Sequence, residues 1–112
     1  NILILGITYK KNSDDIRESP ILKIHDLLSK KLINKVYVCD PLISKYSLKK
    51  LKKVKFLELN HLNDKKILKN FDVCFIGTNH DVFNYKKIAN NLRIIFDSRN
   101  SFSETKKNII II

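Results

Sequence analysis

Residues 2–8, ILILGIT, form an unbroken apolar run in which β-branched isoleucine alternates with leucine. A strand with one solvated face alternates apolar and polar residues. A strand that is apolar throughout must be covered on both faces, which is the condition of a strand inside a parallel sheet. This run leads into a loop carrying Lys10, Lys11, Asp14, Asp15, Arg17 and Glu18. Ser19 then supplies an N-cap and Pro20 a favoured first helical residue. Ile21, Ile24, Leu27, Leu28 and Leu32 recur at helical spacing, with Lys23, Asp26, Lys30 and Lys31 on the opposite face.

The same alternation continues along the chain. The pattern predicts strands at Val36 to Cys39, Val54 to Leu57, Val73 to Gly77, Arg93 to Phe96 and Ile109 to Ile112, the last as a buried edge. Helical stretches fall at Ser44 to Lys53, with Leu48 and Leu51 as the apolar stripe, and at Tyr85 to Leu92. A brief helix capped by Asn63 or Asp64 runs through Lys69. Six short strands joined by helical crossovers give a parallel α/β sheet with helices on both faces. The expected fold is Rossmann-like and doubly wound, with strand order 3-2-1-4-5-6 and a flavodoxin-like order as the alternative. No repeat, linker or low-complexity tract divides residues 1–112, which read as one domain. The chain opens inside a strand without an initiator Met, so it reads as a piece of a longer protein.

The net charge of +11 raises the question of a nucleic-acid partner. The basic residues are 19 Lys and 3 Arg, and Lys, Ile and Asn together make up 48 of the 112 residues. These residue types have codons rich in A and T, so base composition accounts for much of the lysine. The lysines are also spread over helix faces and loops, which is a solvated surface and not a binding stripe. The arginines stand out against that background: Arg17 follows the first strand, and Arg93 and Arg99 bracket the fifth. Arg offers a planar fork for phosphate or carboxylate that Lys lacks. No apolar run approaches the ~20 residues of a membrane span. Cys39 and Cys74 sit in buried strands without a C-x-x-C or Cys/His grouping, as small core residues of a reducing, cytoplasmic compartment.

In a doubly wound sheet the ligand lies beyond the strand carboxyl ends, where strand order reverses. Here that point falls between strands one and four. It would gather Thr8, Tyr9 and Lys10, then Thr78, Asn79 and His80, with Asp97, Ser98, Arg99 and Asn100 arriving from strand five. Two cations among hydroxyl, amide and imidazole donors suit an anion such as a phosphate ester. A dinucleotide site of the usual kind is not expected, because Gly6 alone stands where the fingerprint needs three glycines. Asp40 occupies the place of a ribose-binding acid but reads as a turn residue with Pro41. Asp14 and Asp15 read as loop-stabilising acids, with Arg17 as their partner, and not as a metal pair. His25 and His61 read as surface or boundary residues. His80 is set apart by its place, with capping and packing weighed at least as heavily as catalysis. No catalytic set and no metal site can be assembled.

Four segments carry a family resemblance. LGITYKKNSDDIRESP, residues 5–20, is similar to the G-x-[AST]-[FY]-K loop and T/S-D-D-x-R-E-[SA]-P run that open the carboxyl-terminal, nucleotide-sugar-binding domain of the UDP-glucose/GDP-mannose dehydrogenase family. VCDP at 38–41 resembles that family's YDP strand end. FDVCFIGTNHDVF at 71–83 and FDSRN at 96–100 resemble its T-x-H-x-x-F and FD-x-R-N elements. The resemblance covers nearly the whole chain and ends after Asn100. Lys10-Lys11-Asn12 departs from the commoner Lys-Pro-Asn, as in UDP-N-acetylhexosamine 6-dehydrogenases, and NHDVFNY with FDSRN leans the same way.

The resemblance implies part of an NAD-dependent enzyme that oxidises the C6 hydroxyl of a UDP-sugar to the uronate, for surface polysaccharide precursors. The sugar would be UDP-N-acetylglucosamine, UDP-N-acetylmannosamine or UDP-glucose. It implies that Tyr9, Lys10 and Arg99 bind substrate and that Arg17 reaches towards NAD. It also implies that the catalytic Cys, the NAD-binding domain and a central dimerising helix lie upstream, so that this chain alone is inactive and the parent is a homodimer or higher oligomer. No nucleic acid and no membrane are expected as partners. The alternatives are a non-catalytic basic module for nucleic acid and a degenerate dehydrogenase remnant.

Overall fold

The computed structural model describes residues 1–112. Six strands form one parallel sheet: β1 (Ile2–Leu5), β2 (Val36–Cys39), β3 (Lys55–Phe56), β4 (Val73–Ile76), β5 (Ile95–Asp97) and β6 (Ile109–Ile111). Their order is β3-β2-β1-β4-β5-β6, as the alternation predicts. β1 is central, pairing Leu5 with Cys39 on one side and with Ile76 on the other. The connecting helices are α1 (Pro20–Lys31), α2 (Lys45–Lys50), α3 (Lys65–Leu68) and α4 (Tyr85–Asn91), with a short 3₁₀ helix over Leu59–Asn63 before α3. None is long and apolar enough to cross a membrane.

Because side chains alternate across a strand, β1 feeds two cores. Leu3 and Leu5 join Leu68, Phe71, Ile76, Phe83, Ile88 and Ile95 on the face covered by α3 and α4. Ile4 joins Ile21, Val36, Val38 and Ile43 on the face covered by α1 and α2. Full burial of an Ile or Leu contributes roughly 1.5–3 kcal/mol, so the all-apolar β1 is a main source of stability.

Several boundaries differ from the sequence expectation, each for a local reason. β1 stops at Leu5 because Gly6 turns the chain at φ +78°. The second helix is only Lys45–Lys50, capped by the hydroxyl of Ser44, which accepts from the Ser47 amide. Its apolar stripe is weaker than the pattern implied: Leu48 and Tyr46 are exposed, and Ser47 is the buried residue. β6 is an edge strand, but Ile110, Ile111 and Ile112 are exposed, since no helix covers that end of the sheet. The N-caps Ser19, Asp64 and Asn84 each accept from a first-turn amide. His25 is a further correction. It lies inside α1 and is buried, with Nε2 3.3 Å from Ser29 Oγ, because α1 turns that position towards the α2–β3 connection.

Candidate functional site

The carboxyl ends of β1 and β4 meet closely. A Cβ on Gly6 would lie 2.2 Å from the Thr78 carbonyl oxygen, and one on Gly77 would lie 2.4 Å from the Gly6 carbonyl oxygen. Glycine is required at both positions by this approach, and at Gly6 also by its positive φ. Thr78 Oγ1 donates to Thr8 O at 2.6 Å and Ser19 Oγ donates to Ile7 O at 2.6 Å, so the backbone leaving β1 is held from both sides.

Beneath this junction lies a buried polar group. Asp40, at the end of β2, and His80, after β4, are 3.0 Å apart (Oδ2 to Nε2), and both side chains are wholly removed from solvent. Asp40 Oδ2 also accepts the Ile7 amide at 2.8 Å, and Oδ1 accepts the Leu42 amide at 3.1 Å. His80 Nδ1 accepts the Asn12 amide at 2.9 Å. Tyr85 Oη donates to His80 O at 2.6 Å, and burial, followed by the charges of Asp81 and Asp97, pushes that phenol upward from its ordinary pKa. Asp40 therefore does more than turn the chain: it joins β2 to β1 and to the segment after β4.

This assembly revises the expected set of ligand donors. Thr8, Thr78, His80 and Asp97 are buried and spend their polar atoms on the protein. Asp97 accepts from the Arg99 and Ser101 amides and from the Ser101 hydroxyl, which folds the loop after β5. Those residues shape the site, and the exposed side chains that remain for a ligand are fewer. Sequence reasoning missed the Asp40–His80 pair. Its signal was present in Thr8, Asp40 and His80, polar residues at or just past the ends of three adjacent apolar strands.

Tyr9, Lys10 and Arg17 come together with Ser13, Asp15 and Glu18 around an open cleft of about 500 Å³. Thr8 Oγ1 donates to Lys10 O at 2.9 Å and the Tyr9 amide donates to Asp15 O at 3.1 Å, which closes the loop on itself. Lys10 forms no ion pair. Arg17 is 86% exposed and clamped by Asp15, through Nε to both carboxylate oxygens and Nη2 to Oδ2 at 2.9 Å. Asp15 is the acid that Arg17 takes, and Asp14 is not part of the clamp. The guanidinium and amide of Arg17 lower the Asp15 carboxyl to about pKa 2, and Arg17 is raised in return. Arg99 lies outside this cleft. Its Nε donates to Gly77 O at 2.9 Å, which seats the guanidinium at the β1–β4 junction with both terminal amines unengaged. Lys10 and Arg99 are thus cations without acidic partners, positioned at the carboxyl end of a doubly wound sheet, an arrangement suited to an anion.

The geometry defines a Rossmann-like α/β domain with an anion-compatible switch point. The model of the UDP-glucose/GDP-mannose dehydrogenase family, UDP binding domain, matches residues 3–104, and the chain belongs to that family. The chain is 37% identical over 115 residues to a UDP-glucose 6-dehydrogenase of Rickettsia conorii, covering 97% of this chain and 26% of the relative. It is 29% identical over 108 residues to a UDP-N-acetyl-D-mannosamine dehydrogenase of Pyrococcus horikoshii, covering 92% and 22%. Among solved structures, a GDP-mannose dehydrogenase of Pseudomonas aeruginosa superposes with TM-score 0.72 at 17% identity, over 98% of this chain and 27% of that one. The UDP-N-acetyl-mannosamine dehydrogenase of Staphylococcus aureus gives 0.68 at 23% identity, over 99% and 25%. The chain spans about a quarter of the length of these proteins.

Proposed function

We propose that this chain is the substrate-binding part of an NAD-dependent UDP-sugar 6-dehydrogenase, the carboxyl-terminal domain of a longer polypeptide. The observation that carries the reading is the pair of unpaired cations, Lys10 and Arg99, at the β1 and β5 carboxyl ends of a chain from this family. The diphosphate of a UDP-sugar would be held between Lys10 as a point charge and the terminal amines of Arg99 as a fork, with Tyr9 packing beside it. The sugar would be UDP-N-acetylglucosamine, UDP-N-acetylmannosamine or UDP-glucose, and the overall change oxidation of its C6 hydroxyl to a carboxylate.

NAD does not fit this domain in the usual dinucleotide position. Thr8 fills the place where a glycine loop would admit the pyrophosphate, and Asp40 is committed to Ile7, Leu42 and His80 and is closed to a ribose. The cofactor would be held mainly by upstream domains, with Arg17 presenting its remaining amine to it across a cleft. The nucleophilic Cys would also lie upstream. Cys39 and Cys74 are fully buried, and burial, then the charge of Asp40, pushes the Cys39 thiol up to about 12, so neither serves as a thiolate nucleophile. An oligomeric parent and a cytoplasmic setting accord with this role.

The test is a calorimetric titration of UDP into the full-length polypeptide. Binding is expected, with Lys10→Ala and Arg99→Ala each weakening it by roughly tenfold or more, the scale of one lost charge-assisted contact. Absence of UDP binding by the full-length protein would overturn the reading.

A further inference from the structure

We propose that His80, oriented by Asp40, is a positioning residue for the substrate loop, and that it acts through the one hydrogen bond its Nδ1 accepts from the Asn12 amide. A backbone N–H can only donate, so Nδ1 carries no proton and the ring proton lies on Nε2. That proton is directed to Asp40 Oδ2 at 3.0 Å, with Thr8 Oγ1 at 3.3 Å as a second acceptor. Asp40 cannot rotate away, because the Ile7 and Leu42 amides fix both its oxygens. The pair thus selects the tautomer that leaves Nδ1 free to accept.

Asn12 needs such a hold. Its φ of +58° is a left-handed conformation that costs a non-glycine residue energy and persists only when its surroundings over-determine it. Three other ties reach the loop tip: Asn12 Nδ2 donates to Asp81 Oδ2, the Asp81 amide donates to Asn12 Oδ1, and Lys11 Nζ pairs with Asp81 Oδ1. All three are exposed and exchange with water, whereas the His80 bond reaches into the buried group and is the stronger restraint. Lys10 lies between the Thr8 and Asn12 anchors, and Asp15 ties the other limb of the loop to Tyr9. Releasing Asn12 would therefore free the backbone that aims Lys10 and Arg17. The functional part of this inference rests on the proposed roles of those two side chains.

Two amides divide the ring between them. In His80→Asn the side-chain oxygen stands where Nδ1 was and keeps the Asn12 bond while losing Asp40. In His80→Gln the amide reaches the Nε2 position and keeps Asp40 while losing Asn12. Peptide-resolved hydrogen exchange on the full-length polypeptide, with UDP affinity measured alongside, separates them. For His80→Gln, exchange over residues 9–18 is expected to rise roughly tenfold with β1, β2 and β4 unchanged, and UDP affinity to fall by a similar factor, the scale of one buried hydrogen bond. His80→Asn is expected to keep both within roughly threefold of wild type, since the acceptor is retained. Equal loosening by both variants, or faster exchange through all three strands, would make His80 a core residue only and overturn the proposal. Asn12→Gly keeps the amide and the left-handed turn but removes both Asn12–Asp81 ties, leaving only the exposed Lys11–Asp81 pair, and needs no change in the core. Loop exchange close to wild type supports the proposal, and a rise matching that expected for His80→Gln would transfer the restraint to Asp81. A wild-type protein that binds no UDP would remove the proposed function, while the exchange comparison would still decide the positioning role.

Discussion

Gly6 and Thr78 touch: a methyl carbon added to Gly6 would stand 2.2 Å from the Thr78 carbonyl oxygen, well inside any permitted contact. The candidate site sits at this junction, where the connections leaving the paired strands β1 and β4 part towards opposite halves of the sheet. The backbones pass so closely there that Thr78 Oγ1 can bond to Thr8 O. Arg99 is held at the same junction by the bond of its Nε to the Gly77 carbonyl.

Gly6→Ala is expected to destabilise the protein by roughly 2–4 kcal/mol, combining a left-handed backbone with a clash against main chain that cannot swing away. Urea denaturation should show a lower midpoint with an unchanged slope. A loss below about 0.5 kcal/mol, typical of a neutral surface change, would contradict the tight junction.

Asp40→Ala is expected to cost roughly 3–5 kcal/mol, because it leaves the Ile7 amide and the His80 ring buried without their acceptor. A substitution at a mere turn residue would cost far less. Thermal unfolding of the variant measures the difference.

Lys10→Ala should leave the melting temperature near wild type, since the side chain is exposed and unpaired. Arg99→Ala should cost about 1 kcal/mol for the lost bond to Gly77 O. Arg99→Lys is expected to recover little UDP affinity, because a point charge cannot reproduce the seated fork. Calorimetry on the variants checks each outcome.

The Asp15–Arg17 clamp sets an acid limit. The Asp15 carboxyl falls from 3.8 to about 2 in the folded loop, so the stability it contributes is fully present above 3.8 and is lost as pH falls towards 2. The Asp15 carboxyl resonance should titrate below the ordinary carboxylate range, and Arg17→Ala should return it there.

Cys39 and Cys74 should be silent to a thiol reagent at pH 8 in the native protein and react fully once it is unfolded, since burial raises both thiols. Labelling of either in the native state would argue against the packed sheet described above.

Much of this molecule was legible in its sequence. The continuous apolar run at Ile2–Leu5, the Ser19-Pro20 helix start and the alternation of short strands with helical periods are local patterns, and they sufficed for a parallel sheet, with the observed order expected ahead of a flavodoxin-like one. The resemblance carried by residues 5–20 and 96–100 likewise pointed to the family from sequence alone. What the sequence could not decide was the direction in which polar residues at the strand ends face. Thr8, Asp40, His80 and Asp97 read as ligand donors or turn residues because position alone does not distinguish a side chain open to solvent from one sealed by a neighbouring strand. Asp40 and His80 are separated by 40 residues in the chain and meet only because β1 lies between β2 and β4. Burial is set by what packs on top, and a hydrogen bond by where two distant strand ends stop. Both are properties of the assembled sheet, and they determine which residues build the site and which are left to meet a ligand.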